Sequence, residues 1–182
     1  AGGFQNVILV GTGTGLAPFA SMIKELDFQA SQGKSNGIRY TLFHANRTLE
    51  ELGYHDELSS IEKKQRIDFV YLPSVSRPTQ RDQGDVSIGK GRANNLLRHV
   101  TNMPMKEEQD LATMSAQDGD NHGRAQNALS KAVRPVLPSH VTPQSLIDRL
   151  NPSTTVILTC GNPNVMEDIK YIADANKIKF EK

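Results

Sequence analysis

Cysteine is almost absent from the 182-residue sequence, which holds only Cys160. A single cysteine excludes an intramolecular disulfide framework, a cysteine zinc site and a four-cysteine iron–sulfur cluster, and we predict no metal site. Because disulfides are common in oxidising compartments, this shortage favours a reducing one. We therefore predict a cytoplasmic location.

Long hydrophobic runs and a dominant charge are also lacking. The apolar stretches "VILV" and "VILTC" are far too short to span a bilayer, and no signal-peptide pattern opens the sequence, so we predict no membrane span. The formal net charge is only +1, which gives no overall attraction to nucleic acid or to an anionic membrane. No aromatic platform or recognition-helix pattern accompanies the arginines, and nucleic acid is therefore not a predicted partner.

Apolar runs in the sequence predict the fold. Four near-continuous runs, at 6–10, 39–45, 67–72 and 154–160, are typical of strands buried on both faces, and residues 177–180 are a candidate short fifth strand. Amphipathic helical patterns alternate with these strands. We predict one domain over 1–182, of α/β class and doubly wound, with a mainly five-stranded parallel sheet, helices on both faces and strand order 3-2-1-4-5.

Helix boundaries follow from a few residues. Gly33 is placed to end the helix after the first strand, and a second helix is predicted to begin near Gly53. After the fourth strand, Asn162 and Pro163 suit the N-cap and first position of a helix. Residues 142–150 are a further predicted helix.

One segment, 101–141, is polar in its centre and has no clean period. Since compact domains rarely need so long a connection, we predict an inserted solvated excursion, mobile at least around 117–124. A partner-docking element is the alternative interpretation.

Three glycines follow the first strand in "GTGTG", at Gly11, Gly13 and Gly15, one residue short of the usual Gly-x-Gly-x-x-Gly spacing. Backbone N–H groups and a helix start meet at such a loop, which is where a pyrophosphate binds at the carboxyl edge of a sheet. Thr12 and Thr14 add hydroxyl donors. The loop predicts a dinucleotide site, although a tight strand-to-helix turn would also need glycine.

Basic residues favour one dinucleotide. The second strand runs into "FHANRT", with Arg47 and no acid before Glu50, where an NAD-preferring site commonly has a carboxylate for the ribose. Residues 72–98 hold five basic side chains against two acidic ones. Arg47, Arg77 and Arg92 fall at strand ends on one edge, which favours a 2′-phosphate and hence NADP. A solvated charged face is the simpler alternative.

These motifs carry a resemblance. In order, "GTGTGLAPF", "FHANRTLEELGYHDEL", "YLPSVSRP", "GKGRANNLL" and "LTCGNPNVMEDI" resemble the NADP-binding domain of the ferredoxin–NADP reductase family, most closely its bacterial-type members. The resemblance implies that residues 11–15 hold the pyrophosphate, with Thr14 as a hydroxyl contact. It implies that the adenosine and 2′-phosphate lie on Arg47, Ser76, Arg77 and Arg92. Tyr54 would lie near the nucleotide, although an ordinary helix-face tyrosine fits equally well.

The last motif implies the nicotinamide site. It would be formed by Cys160, Gly161, Asn162 and Pro163, with Cys160 as the catalytic contact beside the carbon that gives up hydride. Its expected role is steric and polarising, because no neighbouring His or Lys in the sequence would activate the thiol as a nucleophile. A small core residue is the alternative for Cys160. We interpret His44 and His55 as structural or solvated rather than as catalytic bases.

The family's flavin-binding motif, Arg-x-Tyr-Ser/Thr, is missing from this sequence. We therefore expect FAD to be bound by an N-terminal barrel of the parent protein that this chain lacks, with ferredoxin, flavodoxin or an oxygenase component as electron acceptor. The isolated chain should bind nucleotide and catalyse little. Two alternatives stay open: an NAD-linked reductase component of an oxygenase system, and a nucleotide-binding regulatory or scaffold module.

Overall fold

The computed structural model describes residues 3–114 and 119–182, and in them a single sheet of six parallel strands. The strands run in the spatial order β4-β3-β2-β1-β5-β6. Their bounds are β1 (Asn6–Thr12), β2 (Arg39–Asn46), β3 (Asp68–Val75), β4 (Gly89–Lys90), β5 (Thr155–Cys160) and β6 (Lys179–Glu181). The α/β class and the relative order of the five predicted strands are confirmed.

The predicted number of strands is wrong, because the sheet has six strands rather than five. The extra strand, β4, lies inside the basic stretch, residues 72–98, and pairs in parallel with Ser74 and Val75 of β3. Two residues are too few to give a hydrophobic run, so β4 leaves no periodic signal in the sequence.

Eight α-helices surround the sheet in the described residues. They are α1 (Ala17–Ser31), α2 (His55–Lys64), α3 (Gln80–Gly84), α4 (Ala93–Val100), α5 (Lys106–Thr113), α6 (Asp120–Lys131), α7 (Pro143–Ile147) and α8 (Pro163–Ala175). Short 3-10 turns cover Gly13–Leu16 and Leu49–Glu51. None of the helices in this described part of the chain has the length and apolar content needed to cross a bilayer.

Both faces of the sheet are buried, which explains the near-continuous apolar runs. On one face, Ile8 and Val10 of β1 pack in a cluster with side chains of α4 and α8. On the other face, Val7 and Leu9 pack with side chains of α1 and α2. Alternate residues of a strand therefore enter opposite cores, and β1 is buried from Asn6 to Gly11, with only Thr12 at its end half-exposed.

The helix boundaries predicted at Asn162 and Gly33 hold closely. Asn162 caps α8, its Oδ1 accepting from the amides of Asn164 at 2.9 Å and Val165 at 3.3 Å. Gly33 follows α1 with a φ of 77°, the left-handed conformation that ends helices. Helix α2 begins at His55, two residues beyond Gly53.

The segment 101–141 contains helices α5 and α6, which the polar sequence did not predict. Helix α5 has no fully buried residue and α6 buries only Ala125, so neither leaves an apolar stripe to detect. The segment returns to the sheet where Val136 and Lys90 exchange backbone hydrogen bonds of 2.9 and 3.0 Å. Residues 117 and 118 of the stretch predicted to be mobile lie outside the described residues, and 120–124 begin α6.

Candidate functional site

A cleft of about 760 Å³ opens at the carboxyl edge of the sheet, between the ends of β1, β2, β3 and β5 and the starts of α4 and α8. Carboxyl ends of neighbouring parallel strands meet at one edge, which is where open α/β sheets bind ligands. Eleven of the thirteen predicted site residues line it: Thr12, Gly13, Thr14, Gly15, Arg47, Ser76, Arg77, Arg92, Cys160, Gly161 and Asn162.

Glycine is required in the first loop for two different reasons. Gly13 has a φ of 56° and open space around it, so its backbone is free to face a ligand. Gly15 is buried, and a Cβ there would lie 2.5 Å from the Cys160 carbonyl and from the Gly161 nitrogen. The first loop therefore touches the loop after β5, and the close approach depends on the missing side chain.

A hydrogen bond joins the same two loops. The amide of Asn162 donates to Oγ1 of Thr12 at 2.9 Å. Gly161 has a φ of 127°, and a Cβ at this position would overlap Oγ1 and the carbonyl of Thr12. Cys160 is half-buried and lines the cleft beside this junction. The thiol and the glycine loop therefore have fixed relative positions.

Backbone pairing continues past the strand ends and places the basic residues together. The Ser76 amide donates to the Asn46 carbonyl at 2.9 Å, and the Arg77 amide donates to the Arg47 carbonyl at 2.8 Å. Arg92 is brought beside them because the Gly91 amide donates to the Val75 carbonyl at 2.9 Å. We call this side of the cleft, lined by Arg47, Ser76, Arg77 and Arg92, the rim.

The charge at this rim is only partly compensated. The exposed Arg47 side chain donates from Nε to Oε2 of Glu51 at 3.1 Å. Within residues 3–114 and 119–182, neither Arg77 nor Arg92 forms an ion pair. Helix α4 begins at Ala93, and its N-cap residue Arg92 forms no side-chain capping bond, which leaves the first amides of the helix available to an anion. The rim is therefore suited to bind a phosphate group.

Some residues singled out from the sequence lie away from the cleft. Gly11 is inside β1, where a Cβ would come within 3.2 Å of Leu16, so the residue serves packing. Pro163 occupies the first position of α8 and is not among the lining residues. Tyr54 precedes α2, with the Lys24 ammonium 5.8 Å from the centre of its ring.

Arg98, counted with the basic stretch, is buried and paired rather than free for a ligand. Its side chain is 1% exposed, and Nη2 lies 2.6 Å from Oδ1 of Asp168 in α8. The cleft-lining arginines are instead Arg47, Arg77 and Arg92.

The buried His44 and the half-buried His55 form a network with Tyr71. The Tyr71 hydroxyl lies 2.8 Å from Nδ1 of His44 and 3.1 Å from Nδ1 of His55. Burial, followed by the nearby His55, lowers the pKa of His44 to about 3, and burial also lowers the pKa of His55. Both rings lie outside the cleft lining, which supports the structural interpretation.

Residues 9–114, 106 of the 182, match the family described as "Oxidoreductase NAD-binding domain". The chain belongs to this family. It is 32% identical over 81 residues to the chloroplastic leaf isozyme 1 of ferredoxin–NADP reductase from Arabidopsis thaliana, a match covering 44% of the chain and 22% of that protein. The predicted resemblance to the ferredoxin–NADP reductase family is confirmed.

A second relative is NADPH–cytochrome P450 reductase from Drosophila melanogaster, 35% identical over 78 residues. That match covers 43% of the chain and 11% of the relative. The chain thus matches only about a tenth to a fifth of the length of these curated relatives.

Solved structures with this fold include a flavohemoglobin from Malassezia yamatoensis with bound FAD and heme, with a TM-score of 0.51 at 14% identity. The similarity covers 98% of this chain and 31% of that one. The FAD/NAD-binding domain of a nitric oxide dioxygenase from Vibrio cholerae gives a TM-score of 0.50 at 14% identity, covering 100% and 54%. Identities this low establish the shared fold alone.

The cleft of the NAD-binding domain also has residues that the sequence motifs did not predict. Pro18, Ala45, Asn46, Ala93, Asn164 and Val165 line the cleft as well. Asn46 shapes the rim, since its Oδ1 accepts from the Arg47 amide at 2.9 Å and its Nδ2 donates to the Glu51 carbonyl at 2.9 Å. Asn46, Ala93 and Asn164 adjoin a predicted position, so extending each strand-end motif by one residue would have found these three of the six.

Proposed function

We propose that this NAD-binding domain binds NADP(H) and presents the nicotinamide for hydride transfer to FAD held by a separate domain of the same parent protein. The observation that carries the proposal is the sharing of one cleft by the glycine loop, three arginines and the Cys160 loop. A dinucleotide has a diphosphate between two ring systems, and these three groups of residues offer one binding element for each part.

The glycine loop and the rim suit the phosphates. Gly13 leaves room for a diphosphate, and the uncapped start of α4 offers amides to an anion. Arg77 and Arg92 provide guanidinium groups for a terminal phosphate, which planar forks bind two-pronged. We assign the 2′-phosphate to these two residues, with Arg47 and the Ser76 hydroxyl as further contacts.

The Cys160 loop suits the nicotinamide end. When bound, NADPH supplies a hydride from its nicotinamide ring to the flavin. The half-buried Cys160 would pack against that ring and limit its positions, with Gly161 allowing close approach at a φ of 127°. We assign the thiol a steric and polarising role and no covalent step.

The rest of the reaction belongs to the parent protein. We propose an FAD-binding domain as the first partner, and ferredoxin, flavodoxin or an oxygenase component as the final electron acceptor. The likeness to ferredoxin–NADP reductase and to NADPH–cytochrome P450 reductase supports NADPH as donor. A cytoplasmic location is proposed from the single cysteine.

Calorimetric titration of the chain with NADP, NAD and 2′,5′-ADP tests the cofactor. We expect tight binding of NADP and 2′,5′-ADP and weak binding of NAD. Arg77→Ala and Arg92→Ala should each weaken NADP binding about tenfold or more, because a hydrogen bond to a charged group contributes about 1.5–3 kcal/mol. NAD binding should stay unchanged in both variants.

Arg81→Ala is the matched control, since Arg81 is an exposed arginine of the same stretch that does not line the cleft. Equal, small losses for NADP and NAD in the Arg77 and Arg92 variants would instead favour an NAD-linked reductase component. Nucleotide binding without NADPH-dependent flavin reduction, after fusion to a family flavin domain, would favour a regulatory or scaffold module.

A further inference from the structure

A buried ion pair connects α4 to α8. Arg98 and Asp168 have side chains only 1% and 2% exposed, and they meet as a two-pronged pair. Nη2 of Arg98 donates to Oδ1 of Asp168 at 2.6 Å, and Nε donates to Oδ2 at 2.9 Å. Asn94 of α4 donates from Nδ2 to the same Oδ2 at 2.7 Å. One carboxylate of α8 thus accepts three hydrogen bonds from α4.

The pair lies at equal depth in two helices that both start at the cleft. Arg98 is six residues beyond Arg92, the N-cap of α4, and Asp168 is six residues beyond Asn162, the N-cap of α8. At 1.5 Å per residue, each partner lies about 9 Å along its helix from the cleft. Arg92 is at the phosphate rim and Asn162 at the Cys160 loop, so these helices serve opposite ends of the site.

Stabilisation of the fold alone does not explain why a buried ion pair occupies this position. Apolar side chains of α4 and α8 already pack together, among them Leu97 and Ile169. Replacing a buried ion pair by apolar residues of similar size is often neutral or stabilising. Apolar packing has no preferred direction, however, whereas a two-pronged guanidinium–carboxylate contact specifies both distance and orientation.

We propose that Arg98 and Asp168 are positioning residues that fix the distance between the phosphate-binding and nicotinamide-binding ends of the cleft. This inference rests on the proposed function. It makes the pair important for a ligand that must reach both ends at once, and unimportant for a ligand that occupies one end.

The same arginine holds the start of the segment 101–141. Nη1 of Arg98 donates to the Pro104 carbonyl at 3.0 Å and to Oε1 of Gln109 at 2.8 Å. The neighbouring Asn95 accepts from the Lys106 amide at 2.9 Å, at the start of α5. Helix α5 is thus attached to α4 at the level of the pair, and Arg98 is held by contacts to both α5 and α8.

The test uses variants that remove both charges together, because removing one leaves an uncompensated buried charge and a strongly destabilised fold. Arg98→Met with Asp168→Leu replaces the pair by apolar side chains. Arg98→Met with Asp168→Asn is the second variant, in which an amide oxygen keeps an acceptor for Asn94. The control is Lys170→Ala with Asp174→Ala, which removes an exposed ion pair from the same helix α8.

We expect the double variants to bind NADP about fivefold to tenfold more weakly, since a ligand with two attachment points depends on their spacing. The affinity for 2′,5′-ADP, which occupies the phosphate end alone, should stay within about twofold of the parent value. Calorimetric titration of each variant with both ligands measures the two affinities and their ratio. A second readout needs no ligand: amide NMR relaxation dispersion should show new microsecond–millisecond exchange at 92–95 and 162–165.

Equal losses for NADP and 2′,5′-ADP, or no loss for either, would overturn the positioning role. Failure of the parent chain to bind either nucleotide would contradict the proposed function instead. If the parent chain binds neither nucleotide, the relaxation measurement still tests the spacing role, because new exchange at both helix starts in the double variants supports it. Unchanged relaxation at both starts would overturn it.

Discussion

The hydroxyl of Thr12 accepts a hydrogen bond of 2.9 Å from the amide of Asn162, across a chain separation of 150 residues. Thr12 is the last residue of β1, and Asn162 is the N-cap of α8. The contact therefore joins the glycine loop to the loop that holds Cys160. Beyond the pairing of β1 with β5, one side chain thus adds a link between two parts of the site that are distant in sequence.

Replacing Thr12 tests this junction. Thr12→Val keeps the size of the side chain but leaves the Asn162 amide without its acceptor, which should cost about 1 kcal/mol of unfolding free energy. Thr12→Ser retains the hydroxyl and should stay close to the parent protein. Urea unfolding of the three proteins measures the difference. Equal stabilities for the Val and Ser variants would show that solvent replaces this bond without cost.

Gly15 tests the close approach of the same two loops. In Gly15→Ala the new Cβ would lie 2.5 Å from the Cys160 carbonyl and the Gly161 nitrogen, so the loops must separate. We expect a loss of about 1–3 kcal/mol in unfolding free energy, as for other overpacked sites, together with weaker NADP binding.

Gly84→Ala is the control for the Gly15 substitution. Gly84 ends α3, has no neighbouring atom within 4 Å of the position that a Cβ would take, and does not have a positive φ. Its substitution should change stability by less than about 0.5 kcal/mol. Thermal unfolding and calorimetry of both variants provide the comparison. A Gly15 variant as stable as the Gly84 variant would contradict the tight loop contact.

The position of the cleft could be predicted because the carboxyl ends of neighbouring parallel strands lie at the same edge of the sheet. Once the runs at β1, β2, β3 and β5 predict parallel strands, the residues after each run must meet at one edge of the sheet. That argument alone brings Gly13, Arg47, Arg77 and Cys160 together, although they are far apart in the sequence. It requires neither side-chain packing nor long-range pairing to be known in advance.

Burial of charge was not predictable in the same way. Arg92 and Arg98 lie in one short stretch, yet Arg92 lines the cleft and Arg98 is paired with Asp168, 70 residues away. Nothing local in the sequence distinguishes the two arginines, because the partner comes from another helix. The two helices of 101–141 were missed for a related reason, since helices that are polar on nearly all sides lack the apolar period.

Stability at acidic pH should depend on His44. Its folded pKa is lowered to about 3 by burial and by the nearby His55, from an ordinary value of 6.5. Above pH 6.5 the ring is neutral in both the folded and the unfolded state, and protonation takes nothing from the free energy of unfolding. Below pH 6.5 the unfolded chain binds a proton that the folded chain excludes, so stability should fall by about 1.4 kcal/mol per pH unit.

Urea unfolding of the parent protein and of His44→Gln between pH 4.5 and 7 measures this dependence. The variant has no ring to titrate, so its stability should fall less steeply with acid. His140 is present in both proteins, so its effect on stability is removed when the two are compared. The pKa of His140 is raised chiefly by its hydrogen bond to Glu62, and its stabilising contribution is lost as pH rises. Parallel pH profiles for the two proteins, or an NMR titration of His44 near pH 6.5, would show that the buried ring is accessible to protons and would remove this explanation.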